Sequence, residues 1–359
     1  MKQRIIGFDI ARAFAIFGMV IVNFKIAQNA VTGNEFLLWF ASLFEGRASA
    51  LFVVLAGIGI TFLTNKSDQS NDGSLINKSQ KILIKRGFLL IAIGLAYTPI
   101  WPADILHFYG FYFLVAATLI SINDRNLLIA AATTMLLFPL MMLIFDYEHG
   151  WDWTSLTYHG FWTLDGMVRH IFFNGFHPVF PWCALLLLGI WLGRQDLSDT
   201  KVRNKLLILS AIIWAITETT FAALKTIFQH YNVLEMPAEE LDFILSTSII
   251  PPLPQYIIAA GSLAVVIIIL CLNFGQRFSD NRLAIWLYNT GQLSLTLYVA
   301  HVIIGMATLE AIGRLENQTI ECSLISTFIF CASGVIFSVL WLKYFKTGPL
   351  EWLFRKIAS

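Results

Sequence analysis

Residues 7–23 read Gly7-Phe8-Asp9-Ile10-Ala11-Arg12-Ala13-Phe14-Ala15-Ile16-Phe17-Gly18-Met19-Val20-Ile21-Val22-Asn23, an apolar run of membrane-helix quality that nevertheless carries an acid, a base and an amide. A charge inside a spanning helix costs a few kcal/mol unless it is paired or hydrated, so these groups read as structural or functional anchors. At about 100° per residue, Asp9, Arg12, Ile16, Met19 and Asn23 share one helix face and spread over about 21 Å of rise. That face is expected to point into a bundle, where Asp9 and Arg12 at i, i+3 can neutralise each other.

Outward from this stretch the chain keeps the same character. It has 359 residues, 57% hydrophobic, 14% aromatic and 13% charged, with a mean hydropathy of +0.70. A soluble core cannot absorb that much apolar surface, so the expectation is an integral membrane protein. A formal net charge of +1 argues against a nucleic-acid partner. Cys183, Cys271, Cys322 and Cys331 show no CxxC spacing, so neither a disulfide framework nor a zinc site is indicated. The start is basic then apolar like a signal peptide, but Asp9 and Arg12 interrupt it and no clear cleavage site follows, so it reads as a mature helix.

Apolar runs lie near 8–26, 46–64, 83–101, 105–121, 126–145, 178–194, 205–225, 254–273, 283–308 and 323–342. They predict an all-α, polytopic transmembrane helix bundle of about ten spans, a single membrane domain over 1–359. Of 24 basic residues, 18 fall in connections that this count puts on one side, so both termini are expected in the cytoplasm, of a bacterial inner membrane. The cytoplasmic loop 65–80, rich in Asn, Ser, Asp and Lys, reads as flexible. The outer loops 146–177 and 226–253 carry the tryptophans, four histidines and acids that suit an acceptor-binding surface; an aromatic belt at the membrane edge explains them equally. Gly57 and Gly59, and Gly189 and Gly193, read as close helix contacts.

By this topology every histidine lies on or near the outer side. His301 shares a stripe with Ser294, Tyr298 and Gly291, which places a hydroxyl, a phenol and an imidazole together; a packed polar stripe is the plainer account. Asp104 and His107 form a second i, i+3 pair, in which the carboxylate would fix the imidazole's tautomer for acid/base work, or simply cap a helix. Glu45 and Arg47 are two apart and do not share a helix face, so separate partners are expected; Arg47 suits an anionic group or snorkelling to headgroups. No HExxH, Walker loop, GxSxG or dinucleotide fingerprint is present, so no metal or nucleotide motif is indicated.

Phe8-Asp9-Ile10-Ala11-Arg12 with Asn23, Asp104-Ile105-Leu106 with Tyr109-Gly110, Phe180-Pro181-Trp182, Gly291-Gln292-Leu293-Ser294-Leu295-Thr296-Leu297-Tyr298 and Gly348-Pro349-Leu350-Glu351-Trp352-Leu353-Phe354-Arg355 together resemble the YeiB-like bacterial membrane proteins. These stand within the wider transmembrane acyltransferase group that includes lysosomal heparan-alpha-glucosaminide N-acetyltransferase. The resemblance implies transfer of an acyl group from cytoplasmic acyl-CoA, as donor substrate, to a hydroxyl or amine of a small-molecule or glycan acceptor on the outer side. It also implies a histidine about a dozen residues after the asparagine, yet residues 30–40 contain none. An asparagine cannot exchange protons at neutral pH, so His301 or His107 is left to act as base.

Two functions compete on these residues. In an enzyme, Asn23 polarises the acyl carbonyl, a histidine with Asp104 nearby deprotonates the acceptor, Arg12 holds the anionic donor, and Ser294, Tyr298 and Arg47 contact substrate. In a transporter or exporter of a small solute, the same polar face lines a path and no covalent step occurs. The absence of paired Gly/Pro-broken helices in corresponding halves favours the enzyme. The lipid bilayer is the expected partner, and a homodimer is compatible with the sequence.

Overall fold

The computed structural model describes residues 5–68, 73–231 and 237–358. In chain order the helices are α1 (Ile6–Ala27), α2 (Glu35–Ser42), α3 (Arg47–Asp68), α4 (Gly73–Tyr97), α5 (Leu106–Leu119) and α6 (Asp124–Met142). A short antiparallel hairpin, β1 (Trp151–Asp152) with β2 (Thr157–Tyr158), follows. Next come α7 (Leu164–Arg169), running on into a π-helical stretch His170–Asn174, and α8 (Val179–Arg194), α9 (Thr200–Tyr231), α10 (Ala238–Leu245) and α11 (Pro254–Arg277). The chain ends with α12 (Arg282–Gln292), α13 (Ser294–Ala300), a second π-helical stretch His301–Met306, α14 (Ala307–Ala311), α15 (Ile320–Tyr344) and α16 (Pro349–Ala358).

Among the described residues, seven helices are long and apolar enough to cross a membrane, and eight if Leu164–Asn174 and Val179–Arg194, bent by 49°, form one broken span. Two of the ten expected spans fall outside that set. Of residues 83–101, those up to Tyr97 belong to α4, which also carries Lys78, Lys81, Lys85 and Arg86. Within 105–121 the helix is α5, whose 14 residues rise about 21 Å against a hydrocarbon core of about 30 Å. The apolar run 283–308 is not one rod either. Leu293, at φ −105° and ψ 24°, separates α12 from α13. Of the expected loop 65–80, residues 69–72 lie outside the described residues and its flanks belong to α3 and α4; of 226–253, residues 232–236 lie outside them.

Backbone contacts divide the chain into two compact units: residues up to Leu55 with Leu263–Ile357, and Ala56–Ser262. In the first, α1 packs against α12 and α15. The α1–α12 approach depends on Gly291, where an added Cβ would stand 1.7 Å from the Asp9 carbonyl oxygen. The sequence marks α2 by its cap: the Asn34 side chain accepts from Phe36 N at 3.0 Å and Leu37 N at 3.3 Å, satisfying first-turn donors.

In the second unit α4 lies along α5, and α6 and α5 both pack on α8. The expected glycine contact is present. A Cβ on Gly57 would fall 2.2 Å from the Leu186 carbonyl oxygen and 2.9 Å from Gly189 C, and Thr61 Oγ1 donates to the Ile190 carbonyl at 2.9 Å across the same seam. Arg194 closes the end of α5, donating to the Ile120 and Ile122 carbonyls at 2.7 Å each. Phe138, Tyr147, Phe173 and Leu253 form a buried cluster that ties the hairpin region to α6.

Helix contact of this kind leaves no room for a methyl group. Gly291→Ala should force α12 off α1 and destabilise the protein by about 1–3 kcal/mol, whereas Gly261→Ala, whose Cβ would meet only the ends of Leu185 and Leu188 at 3.1 Å, should cost far less. Thermal unfolding of the two variants in the same detergent checks the ordering.

Candidate functional site

Polar side chains gather in two places, one in each unit. In the first unit, α1 carries two of them at different depths. Near its start Arg12 Nη1 lies 2.6 Å from Asp9 Oδ1, the carboxylate buried and the guanidinium about a quarter exposed. An acid in the first turn also meets the positive end of the helix dipole. Asn23 sits eleven residues further on, about 16 Å along the axis. Its Nδ2 is 2.8 Å from His301 Nε2.

His301 opens the second π-helical stretch and is fully buried. Its Nδ1 faces the Tyr298 carbonyl, which can only accept, so the proton sits on Nδ1 and Nε2 accepts from the Asn23 amide. Both ring nitrogens are therefore engaged. Phe24 lies tilted beside the imidazole and Tyr298 stacks on Phe52. Ser294 begins α13, half-buried, and no hydrogen bond among the described residues joins it to Asn23 or His301. The break at Leu293 leaves the first donors of α13 without helical partners, and Glu351 of α16 takes them: Leu295 N at 2.8 Å, Thr296 N at 3.1 Å and Thr296 Oγ1 at 2.6 Å. Arg47 donates to the Glu45 carbonyl at 3.3 Å, while the Glu45 carboxylate pairs with Lys25 at 2.6 Å.

The second unit holds the other gathering, and it is built around Asp104. One carboxylate oxygen, Oδ2, accepts from Leu106 N at 2.9 Å and His107 N at 3.3 Å, capping α5, and stands 3.2 Å from His107 Nδ1. Both residues are completely buried. A carboxylate on Nδ1 fixes the proton there and leaves the lone pair on Nε2, which has no hydrogen-bond partner among the described residues. The capping and the acid/base readings of this pair thus describe one arrangement.

Two more buried histidines stand beside it. The His170 ring stacks with that of His107 at 6.0 Å between centroids, and His177 packs against Trp182 and Phe108. His170 and His177 each have an Nδ1 without a hydrogen-bond partner among the described residues. His170 also lines an open cavity of about 390 Å³ whose walls include Trp151, Tyr158, Phe161 and Trp162. Asn174 shapes this wall. Its amide donates to the Tyr147 and His149 carbonyls at 2.9 Å each, its Oδ1 accepts from Tyr158 Oη at 3.0 Å, and its carbonyl accepts from Trp151 Nε1 at 2.5 Å. Burial raises the Tyr158 phenol above its ordinary value against the opposing pull of Arg169, so it stays a neutral donor near pH 7.

Of the residues picked out in the sequence, the structure joins Asp9 to Arg12, Asn23 to His301 and Tyr298, and Asp104 to His107. His170, His177 and Asn174 are additions. The density of tryptophan and histidine across 146–177 was their signal in the sequence, but the partner of His170 lies 63 positions away at His107. Among the described residues, no three His, Cys, Asp or Glu side chains are placed to hold a metal ion.

Comparison with known proteins bears on the whole chain. Residues 4–221 match the family described as "Heparan-alpha-glucosaminide N-acetyltransferase, catalytic", and residues 192–359 match one described as "Protein of unknown function (DUF418)". Two curated relatives run nearly end to end with it. The "Uncharacterized protein YeiB" of Escherichia coli is 23% identical over 99% of this chain and 96% of that protein. The "Uncharacterized protein YxaH" of Bacillus subtilis is 22% identical over 99% and 94%.

The Asp9–Arg12 pair gives a direct test of the buried polar face. Arg12→Ala should remove the cation nearest a buried carboxylate and lower stability, by less than the roughly 3–5 kcal/mol of a fully buried pair because part of Arg12 is exposed, while Arg12→Lys should recover much of the loss. Thermal melts of the purified variants measure both; an Ala variant that melts with the parent would mean the pair is not structural.

Proposed function

The chain belongs to the YeiB-like family, which is related to the transmembrane acyltransferases, and from that premise we propose that it transfers an acyl group from acyl-CoA to a hydroxyl or amine of an acceptor bound in the second unit. The observation that carries the choice of site is the Asp104–His107 dyad, with its imidazole held by the carboxylate at 3.2 Å and its Nε2 unpartnered. His301 is the weaker base because Asn23 and the Tyr298 carbonyl occupy both its nitrogens. The match to the acetyltransferase catalytic family favours the same assignment, since residues 4–221 contain Asp104, His107 and His170 but not His301.

In this reading the acceptor lies in the aromatic cavity. Flat walls with a few fixed polar groups suit a ring bearing hydroxyls or an amine, in keeping with the glucosaminide named for the matching family. The acceptor oxygen or nitrogen attacks the thioester carbonyl; its proton passes to the His107 imidazole by way of His170, the histidine that lines the cavity; the C–S bond breaks; and CoA leaves as the thiol after the proton is returned. Asp104 supports the imidazolium that forms. Asn23 and Tyr298 hold His301, and Arg12 answers the buried Asp9, so these act on the architecture rather than on the acyl group.

Purified protein in sealed lipid vesicles, given acetyl-CoA and glucosamine or its oligomers, should release free CoA in step with acetylated sugar. His107→Ala and His170→Ala should each slow turnover by about 10²–10⁴-fold, the worth of a positioned acid/base group. His301→Ala should leave turnover within a few-fold of the parent in whatever fraction folds. Loss of turnover in His301→Ala with His107→Ala active would return the base to His301; glucosamine carried across the bilayer unmodified would favour a transporter.

The orientation proposed for this chemistry places both termini in the cytoplasm of a bacterial inner membrane, following the basic residues. A cysteine introduced at Ser198, which lies among the basic connections, should react with an impermeant maleimide only from the cytoplasmic side, and one at Thr154 only from the outer side, against the parent as background. The reverse pattern would invert the topology.

A further inference from the structure

The stretch Gly348-Pro349-Leu350-Glu351-Trp352-Leu353-Phe354-Arg355 is only half used by the contacts described so far. An added Cβ on Gly348 would stand 2.9 Å from Leu293 Cγ, Pro349 opens α16 with a φ suited to a first helical position, and Glu351 caps the start of α13. The Leu350 amide also donates to Thr296 Oγ1 at 3.2 Å. Leu350, Leu353 and Phe354, on that side of α16, are half-buried. Trp352, Arg355 and Lys356 fall within about 100° of one another on the other side, and all three are exposed.

The end of α15 has the same character. Its 25 residues rise about 37 Å against a hydrocarbon core of about 30 Å, so both ends of this crossing helix reach headgroup depth. Trp341 Nε1 donates to the Thr347 carbonyl at 3.0 Å, which ties the short link to α16 back to that end. Lys343, Tyr344 and Lys346 are exposed there, Tyr344 at 83%. Trp352 is 53% exposed, with Lys356 Nζ 5.0 Å from its ring centroid. Between 343 and 356 stand four basic residues and one acid, Glu351, which is turned inward to the α13 amides. Lys343, Lys346 and Arg355 form no ion pair among the described residues. The exposed surface is therefore basic and aromatic at the depth where lipid phosphates lie.

We propose that residues 343–356 are a docking surface for anionic phospholipid headgroups, and that docking holds α16, and with it Glu351, against the start of α13. Phosphates meet Lys343, Lys346 and Arg355, while Tyr344 and Trp352 sit at the boundary between headgroups and chains, where a ring with one polar edge is favoured. Charge selects the lipid. A zwitterionic surface offers the rings the same boundary but gives the three cations no net attraction. The surface takes no part in the acyl chemistry and does not depend on it.

The full chain in neutral detergent, given a trace of phosphatidylglycerol with a photoreactive headgroup, tests the docking. Peptides from 343–358 should be labelled, and unlabelled phosphatidylglycerol should compete at least about fivefold better than phosphatidylcholine, the effect of one basic side chain at a headgroup. The combined variant Lys343→Gln, Lys346→Gln and Arg355→Gln should lose that difference between the lipids at these peptides, whereas Arg355→Lys should keep it. Absence of label from 343–358, equal competition by the two lipids in the parent, or an undiminished difference in the combined variant would overturn the proposal. Inorganic phosphate competing as well as phosphatidylglycerol would also overturn it, by making this a site for a free anion. Hydrogen exchange in the same detergent reads the link to α13. Phosphatidylglycerol should slow exchange of the Leu295 and Thr296 amides in the parent and leave it unchanged in the combined variant; exchange in the parent that ignores the lipid would reject the hold on Glu351.

Discussion

Backbone taken out of water must satisfy its own hydrogen bonds, and in this chain side chains step in wherever a helix is interrupted. The break at Leu293 is the clearest case. It frees the first N–H groups of α13, and Glu351, from the last helix of the chain, accepts from two of them and from the Thr296 hydroxyl. Without an acceptor a fully buried donor costs about 1–3 kcal/mol, and these part-buried donors would pay a share of it. A straight helix would carry Gly291 and His301 to different places, so the carboxylate at position 351 sustains both the α1–α12 contact and the Asn23–His301 pair. Arg194 does the same for the carbonyls that end α5.

The same constraint separates two histidines that look alike in composition. His301 is satisfied at both nitrogens by groups that cannot take or give a proton at neutral pH, the Asn23 amide and a backbone carbonyl. Such a histidine is held in place and has little left to offer. His107 is held at one nitrogen by a carboxylate and, among the described residues, has no hydrogen-bond partner at the other, beside a second histidine. Burial is equal for the two rings, so the partners decide the difference.

Outside these polar stations the chain exposes apolar surface on a scale no soluble protein tolerates. Leu143, Ile144, Ile208, Ile216, Phe328 and Ile336 are all more than half exposed on or next to α6, α9 and α15. In hydrocarbon there is no penalty for this and no drive to hide it, so helix association falls to close packing at small residues and to the few internal hydrogen bonds. The Gly57 contact with α8 and the Gly291 contact with α1 are of that kind. They leave the cavity walls, the hairpin and the α16 cap free to be specified by aromatic and polar residues.

Much of this was written into short stretches of sequence. The apolar runs made the chain a helical membrane protein, the i, i+3 spacings of Asp9 with Arg12 and Asp104 with His107 placed each pair on one turn, and the small residues marked helix contacts. These are local properties, set by 3.6 residues per turn and by the cost of burying charge. Span count was less legible, because hydropathy cannot tell a short buried helix such as α5 from a crossing one, nor see a break inside 283–308. Only the tertiary structure decided which polar group answers which: Asn23 with His301 across 278 positions, Glu351 with the start of α13 across 55, and His170 with His107 across 63. A partner at that separation is chosen by how helices lean on one another, and the sequence carries no period that records it.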